Sequence, residues 1–400
     1  MTEVVTTVRI GKFVDLVNGF PFKSDSFVSE GEMPLVRIRD LLSTEFETFV
    51  PRASVPQHVL LRKNDVVVGM DGDFNVRLWD RGEAALNQRL CLLRARANCD
   101  PRYVAYVMPA ELRAINELTP STTVKHLSSN DVLSVKVPDL DLDSQRTISD
   151  YLDRETGEID AMIGGLKELT HALQSRAAES TTRLVLGLRS SHASDGSDAH
   201  SPLSGIPDHW GRTKFGYDFV ESTERNGDDP PGPLLSISEY RGVELNTRTE
   251  GQQASLDVSM YRVVRPRQLA ANMMWLNHGG LGVSSVTGYI SPDYKAFWIS
   301  DCFEPRYVHH LFRCSRYIDY FAAIATGVRP NAQRVTKTVL DATPVPLPPL
   351  DEQIRIADEL DAATTHVDAM LAKVADLKSL LLERRAALIT DVVTGKKEVA

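Results

Sequence analysis

Four clusters in this chain of 400 residues carry side chains of the right type for chemistry. Asp229-Pro230-Pro231-Gly232 comes near the Asp/Asn-Pro-Pro-aromatic motif of enzymes that methylate amino groups of bases. That chemistry stacks an aromatic ring on a flipped base, and Gly232 has no ring, so the stretch reads as a proline-rich loop. Gly279-Gly280-Leu281-Gly282 lacks the spacing and the Lys-Ser/Thr ending of a phosphate-binding loop. Asp71, Asp73 and Asn75 match the start of an EF-hand loop, but Gly82 stands at the twelfth position, where the bidentate Glu belongs. Cys302, His309, His310 and Cys314 are zinc-ligand types at the spacing of no standard zinc module. The run around them reads as a helix. No metal site and no catalytic constellation emerges, and the reading is of a chain that is not an enzyme.

Those residues must be held by larger elements, and the bulk numbers bound what these are. The length suggests two to three domains. No apolar run approaches the roughly 18 residues of a membrane span, and the first residues lack the pattern of a signal peptide. Four scattered cysteines (Cys91, Cys99, Cys302, Cys314) fit a reducing compartment, so a cytoplasmic location is expected. The net charge is −9, yet residues 1–140 hold 17 basic against 18 acidic side chains and residues 205–344 hold 15 against 15. The acid lies in the segments between, so the charge neither demonstrates nor excludes a nucleic-acid partner.

The strongest signal is an internal repeat. VPDLDLDSQRTISDYLDRETGEIDAMIGGLKEL from Val137 aligns without a gap to VPLPPLDEQIRIADELDAATTHVDAMLAKVADL from Val345, an offset of 208 positions. Gln145 meets Gln353, Leu152-Asp153 meets Leu360-Asp361, and Asp160-Ala161-Met162 meets Asp368-Ala369-Met370. Apolar residues recur in heptads: Ile148, Met162 and Leu169 on one position, Leu152, Ile159, Leu166 and Leu173 on the other. The second copy repeats them with Ile356, Met370 and Leu377 against Leu360, Val367, Val374, Leu381 and Leu388. This is the seam of a coiled coil, with Asp143 or Ser144 and Asp351 as N-caps and Gly187 and Gly395 as stops. About 40 residues make a rod of roughly 60 Å. One such helix cannot bury its seam alone, so the two copies are expected to pack antiparallel.

The expected fold class is α+β: two α+β modules joined by two long helices in an antiparallel coiled coil, related by a pseudo-twofold repeat. The boundaries read are 1–140 for the first module, 141–190 for the first helix, 191–204 for a Ser/Asp/Gly-rich linker, 205–345 for the second module and 346–400 for the second helix. Within the modules, 34–42, 64–70, 232–240 and 259–266 read as short strands, and 103–108 and 307–324 as helices. The modules resemble each other only faintly, which suggests one scaffold presenting two different surfaces.

These residues carry a likeness to a known family. GFPFKSDSF (19–27) followed by PLVRIRDL, PPLDEQIRIADELD leading into a long helix, and the tail LITDVVTGKKEV (388–399) resemble the DNA-specificity subunit of type I restriction–modification systems, over essentially the whole chain. The pair Glu352-Gln353 is the most specific motif; the first copy has Ser144 in place of the Glu. The resemblance implies two target recognition domains, each reading one half of a bipartite, asymmetric DNA site. It also implies an antiparallel coiled coil that separates them and docks two methylation subunits, with restriction subunits joining that core. S-adenosylmethionine, ATP and magnesium would then sit on the partner subunits and no cofactor on this one.

Base readout needs bidentate donors and acceptors in loops, Arg for guanine and Asn or Gln for adenine. In the first module the candidates are Asn75, Arg77, Trp79, Arg81, Asn87 and Gln88, then Lys125 and His126. In the second they are Asn246, Arg248, Asn272 and Asn277, then Arg329, Asn331, Gln333 and Arg334. Segments 119–131 and 326–338 occupy equivalent places in the repeat and are rich in donors. Two other readings stay open: a coiled-coil adaptor that reads no DNA, and the specificity part of a methylation-only relative.

Overall fold

The computed structural model describes residues 6–118, 125–188, 201–239, 241–247, 257–327 and 334–399. It divides into two compact units, Met1–Leu166 with Asp376–Ala400 and Lys167–Ala375. Each unit owns one module and half of each long helix. Among the described residues no helix is long and apolar enough to cross a membrane.

The same sheet is built in both units. In the first, strands Val14–Asn18, Leu90–Ala95, Val66–Gly69 and Val76–Leu78 lie side by side in that order, all antiparallel. In the second, Phe219–Ser222, Lys295–Ile299, Leu269–Ala271 and Leu281–Val283 take the same order and sense. Two-strand ladders, Thr7–Arg9 with Lys136–Pro138 and Gly211–Lys214 with Pro344–Leu347, close each module just before its long helix. The modules diverge beyond this frame. The first adds a mixed sheet of Phe49–Val50, Met33–Val36, Ala84–Leu86 and Leu60–Leu61, whereas the second adds a hairpin, Leu235–Ser238 with Gly242–Leu245, and a separate two-strand ladder, Arg262–Val264 with Gly288–Ile290. The helix expected over 307–324 is two helices, Pro305–Arg313 and Ser315–Ile324, broken at Cys314, whose backbone is extended.

The long helices span Leu142–Val185 and Leu350–Val393, 44 residues each. The first is capped two residues before Asp143, the nearer expected cap: Asp141 is the residue whose carboxylate accepts the Ser144 N–H at 2.8 Å. Gly187 and Gly395 end the helices with φ of 60° and 71°, the left-handed turn that only glycine adopts without strain. The helices pack antiparallel within each unit. In the first, Ile159, Ile163 and Leu381 form an apolar cluster with Leu166 and Leu388, and Arg385 pairs with Asp160 at 3.1 Å. In the second, Val185 shares a core with Ile356, Ala357 and Leu360.

The seam runs one residue away from half of the expected positions. Buried or half-buried residues on the first helix are Gln145, Ser149, Leu152, Thr156, Ile159, Ile163, Leu166, Thr170 and Leu173, alternating four and three apart. The second helix repeats the register through Gln353, Ala357, Leu360, Val367, Leu371, Val374 and Leu381. Met162, Leu169, Met370 and Leu377, expected in the seam, are instead 54%, 45%, 37% and 47% exposed. Ile148 and Ile356 pack on the cores of their own modules. Small polar residues displace the large apolar ones because their hydroxyls bond within the helix: Ser149 donates to the Gln145 carbonyl at 2.9 Å and Thr156 to that of Leu152 at 2.6 Å. So satisfied, they admit close helix contact.

A second repeat is structural and sits where module meets helix. Gln145 is fully buried; its Oε1 accepts the Asp100 N–H at 3.0 Å, and its Nε2 donates to the carbonyls of Asn98 and Leu140 at 3.3 and 2.9 Å. Gln353 does the same 208 residues later, with the Glu304 N–H and the carbonyls of Cys302 and Pro348, all at 2.9 Å. Beside each, an arginine reaches two helix carboxylates: Arg102 to Asp150 and Asp153, Arg306 to Asp358 and Asp361. Glu352 is used only in the second unit, accepting from His209 at 2.8 Å and the Trp210 indole at 3.1 Å. That explains why Ser144 suffices in the first.

A further titratable difference between the junctions is a pair of histidines. His309 and His310 stand where the first module has Ala105 and Tyr106. The Nδ1 of His309 accepts the Val283 N–H at 3.2 Å, and burial drives its pKa down to about 3. The unfolded chain takes up that proton near pH 6.5 and the folded one does not, so the second unit loses stability as pH falls from about 6.5 toward 3. His309→Asn, whose side-chain oxygen can still accept the Val283 N–H, is expected to flatten the loss between pH 7 and 5 in urea unfolding. Equal slopes for variant and parent would refute this.

Candidate nucleic-acid interface

Matching sheets place matching loops. In the first unit, residues 70–75 connect strands Val66–Gly69 and Val76–Leu78, and the chain returning from helix Pro101–Leu118 docks along them. The Leu127 N–H bonds the Met70 carbonyl at 2.7 Å, and the Gly72 N–H bonds that of Lys125 at 3.1 Å. In the second unit, residues 272–280 connect Leu269–Ala271 and Leu281–Val283, and the Val335 N–H bonds the Met273 carbonyl at 3.0 Å. Met70 and Met273 are equivalent residues, and the surfaces beside them differ in chemistry.

The first loop cluster is polar and tightly bonded. Asp71 bridges His126 in the backbone, and its carboxylate meets the His126 Nδ1 at 2.5 Å and the Arg89 guanidinium at 3.3 Å. Lys125 donates to the backbone and side-chain oxygens of Asn116 at 2.6 and 2.7 Å. Phe74, buried in the module core with φ of 52°, anchors the loop, and the Asn75 carbonyl accepts the Gly69 N–H. The neighbouring turn at Asn87–Arg89 is held by the GFPF segment. The Gly19 N–H bonds the Leu90 carbonyl, the Gln88 N–H bonds that of Phe20, and a Cβ on Gly19 would lie 1.9 Å from the Asn87 carbonyl oxygen. Only glycine permits that approach.

The second loop cluster is apolar at its surface. Met274 and Trp275 are 47% and 52% exposed, and Asn272 turns the chain by accepting the Met274 N–H at 3.1 Å. Arg313 pins the loop from beneath. Its guanidinium donates to the carbonyls of Gly279 and Leu281 at 2.9 and 2.8 Å, and to that of Glu239 on the adjoining hairpin at 2.6 Å. Burial lowers its pKa to about 10 against the opposing pull of Glu239 and Glu244, which leaves it charged at neutral pH.

Of the first module's expected readers, the structure brings Asn75, Gln88, Lys125 and His126 to this edge. Three others bond within the module, Trp79 buried and Arg77 and Arg81 half-buried. Trp79 is completely buried and its indole donates to the Gly82 carbonyl at 2.6 Å. Arg77 donates to the carbonyls of Leu41 and Ser43, both at 3.1 Å. Arg81 donates to the Asp40 carbonyl and lies 3.7 Å from the centre of the Phe46 ring. These stretches look like donor-rich loops in sequence because side chains that staple a β-rich core to its connections are of the same types. Asn87 is buried too. Trp79→Phe is expected to lower stability by about 1–2 kcal/mol through the lost hydrogen bond and to leave nucleic-acid affinity unchanged; reduced affinity at equal folded fraction would overturn the assignment.

In the second module Asn272, Asn277 and exposed Arg334 belong to the loop cluster or the strand docked on it. Asn246 ends strand Gly242–Leu245, at the opposite end from Gly242, the residue that packs on Gly282. Arg248, Arg329, Asn331 and Gln333 lie outside the described residues. Among the described residues no group of three or more His, Cys, Asp or Glu could hold a metal ion. Arg89 and Asp71 were absent from the expected readers. Arg89 adjoins Asn87 and Gln88, but nothing in the sequence marks its pairing with a residue 18 positions earlier.

Known proteins agree with this architecture. Residues 2–171 match the family described as type I restriction modification DNA specificity domain. That match covers the first module and the first part of helix Leu142–Val185. Over 169 residues it is 33% identical to the EcoBI specificity subunit of a type I restriction enzyme from Escherichia coli, covering 42% of this chain and 35% of that one. Over 91 residues it is 28% identical to the StySPI specificity subunit from Salmonella potsdam, covering 23% and 19%. The chain thus matches about a third of the first relative's length and a fifth of the second's. A chain from a solved structure concerned with complex assembly and conformational transition of the type I R-M system shares the fold across 97% of both chains, with a TM-score of 0.60 and 16% identity. The arrangement of two β-rich modules with paired long helices is therefore a fold shared with that chain.

Proposed function

We propose that this chain is the non-catalytic DNA-reading subunit of a type I restriction–modification complex, each module reading one half of a bipartite, asymmetric site. The observation that carries this reading is the pair of equivalent loop clusters, built on identical sheet frames and faced with different chemistry. One frame used twice can meet DNA twice in the same way, while unlike surfaces select unlike base sequences. Identical surfaces would instead favour a palindrome. Each long helix, about 66 Å at 1.5 Å per residue, gives half its length to each unit and so acts as the ruler for the unspecified spacer.

The exposed apolar residues outside the seam fit docking of partner subunits. Met162 and Leu169 on the first helix recur as Met370 and Leu377 on the second, at the 208-residue offset. A surface presented twice suits two copies of one partner, as expected for a pair of methylation subunits that supply S-adenosylmethionine chemistry. Restriction subunits would bring ATP and magnesium, and the complex would work on DNA in the cytoplasm. Replacing residues 1–136 by the equivalent module of a relative tests the central claim through sequencing of methylated adenines in the host. One half of the methylated site is expected to change and the other to persist. A change in both halves, or in neither, would defeat it.

A further inference from the structure

Arg89 carries an unusual combination of features. Its φ is +72°, in the left-handed region where a non-glycine residue costs about 1 kcal/mol or more, and the surrounding structure enforces it. Its carbonyl accepts the Met70 N–H at 2.9 Å, and the preceding Gln88 is tied to Phe20. The side chain points from this fixed backbone to Asp71, whose carboxylate is only 17% exposed while the Arg89 side chain remains 59% exposed. The same carboxylate holds His126 at 2.5 Å through Nδ1, and the His126 side chain is about half exposed.

Resting on the reading of the modules as DNA-binding, we propose that Arg89, buttressed by Asp71, reads a guanine in the first half-site, with His126 beside it. The Arg89 ion pair runs through Nη1, which leaves the Nε–Nη2 edge in the fork geometry that matches guanine O6 and N7. The carboxylate decides between base and backbone. An arginine paired with Asp has its charge offset, so its attraction to a phosphate is weakened. The ion pair meanwhile restricts its orientation, which favours a planar, neutral, bidentate acceptor. A held side chain also has less rotamer freedom left to lose on binding. In the second module Met274 and Arg334 stand beside the equivalent backbone bond, so this readout belongs to one half of the site.

The test uses the full chain assembled with methylation and restriction subunits from its host. The probes are duplexes carrying the site defined by the host's methylated adenines, with each base pair of the first half replaced in turn. The parent complex is expected to disfavour replacement of one guanine by about 10- to 100-fold. Arg89→Ala and Arg89→Lys should both bring that penalty to within about threefold of none, and Asp71→Asn should lower it in part. Penalties at other positions and across the second half should persist, which also reports an intact fold. The proposal is overturned if the variants keep every penalty, or if they weaken binding to all duplexes alike, as loss of a phosphate contact would. A parent complex that recognises no two-part site would instead defeat the broader reading of the modules.

Discussion

Replacing Gln353 by leucine is expected to cost the second unit about 3–5 kcal/mol, one of the largest effects of any single surface-neutral change in this chain. The side chain is fully buried, and it satisfies three backbone groups that otherwise meet nothing: the Glu304 N–H and the carbonyls of Cys302 and Pro348. Each buried group left unpaired costs about 1–3 kcal/mol, well above the net gain from making such a bond. Leucine is close in volume, so the loss is polar rather than a cavity term. Gln353→Glu is expected to be as damaging, because a carboxylate can accept the Glu304 N–H but must then face two carbonyl oxygens. Gln145→Leu should behave alike in the first unit, through Asp100, Asn98 and Leu140. Urea unfolding with the slope m checked for constancy measures all three; a loss under about 1 kcal/mol would show that water replaces the amide.

These glutamines show how far sequence reasoning reached. The repeat was legible because identity at fixed offset needs no knowledge of structure, and Gln145 and Gln353 were visible within it as matched letters. Their role was not, because the partners are backbone groups up to 51 residues away, and backbone groups have no letter. The α+β class and the antiparallel pairing of the long helices were likewise legible. The former followed from alternating strand-like runs beside helical periodicity, the latter from two seams that cannot be buried singly. Candidate base readers are the hardest to see. Trp79, Arg77 and Arg81 have the right chemistry but bond within their own module, whereas Arg89 stands out only through its contact with Asp71. Residue type limits what a side chain can bond, while tertiary structure decides what it does bond.

The heptad register offers the sharpest contrast between neighbouring residues. Ile163→Asp is expected to cost the first unit about 4 kcal/mol or more, and Met162→Asp less than about 1 kcal/mol. Ile163 is 8% exposed, in a cluster with Ile159 and Leu381. Aspartate there forfeits the aliphatic burial, about 2–5 kcal/mol in large-to-small series, and adds the desolvation of a carboxylate in an apolar cluster. Met162 is 54% exposed, so its replacement loses little beyond helix propensity, roughly 0.5 kcal/mol. Both positions lie mid-helix, so capping and end effects cancel in the comparison. Choosing the largest apolar residue at each step favours Met162, whereas the observed seam takes Ile163 and tolerates Thr156 and Thr170 to keep one face. Thermal or urea unfolding of the two variants decides between the registers. Should Met162→Asp prove the more damaging, the seam would run through Ile148, Met162 and Leu169, and the exposed stripe assigned to partner docking would be lost with it.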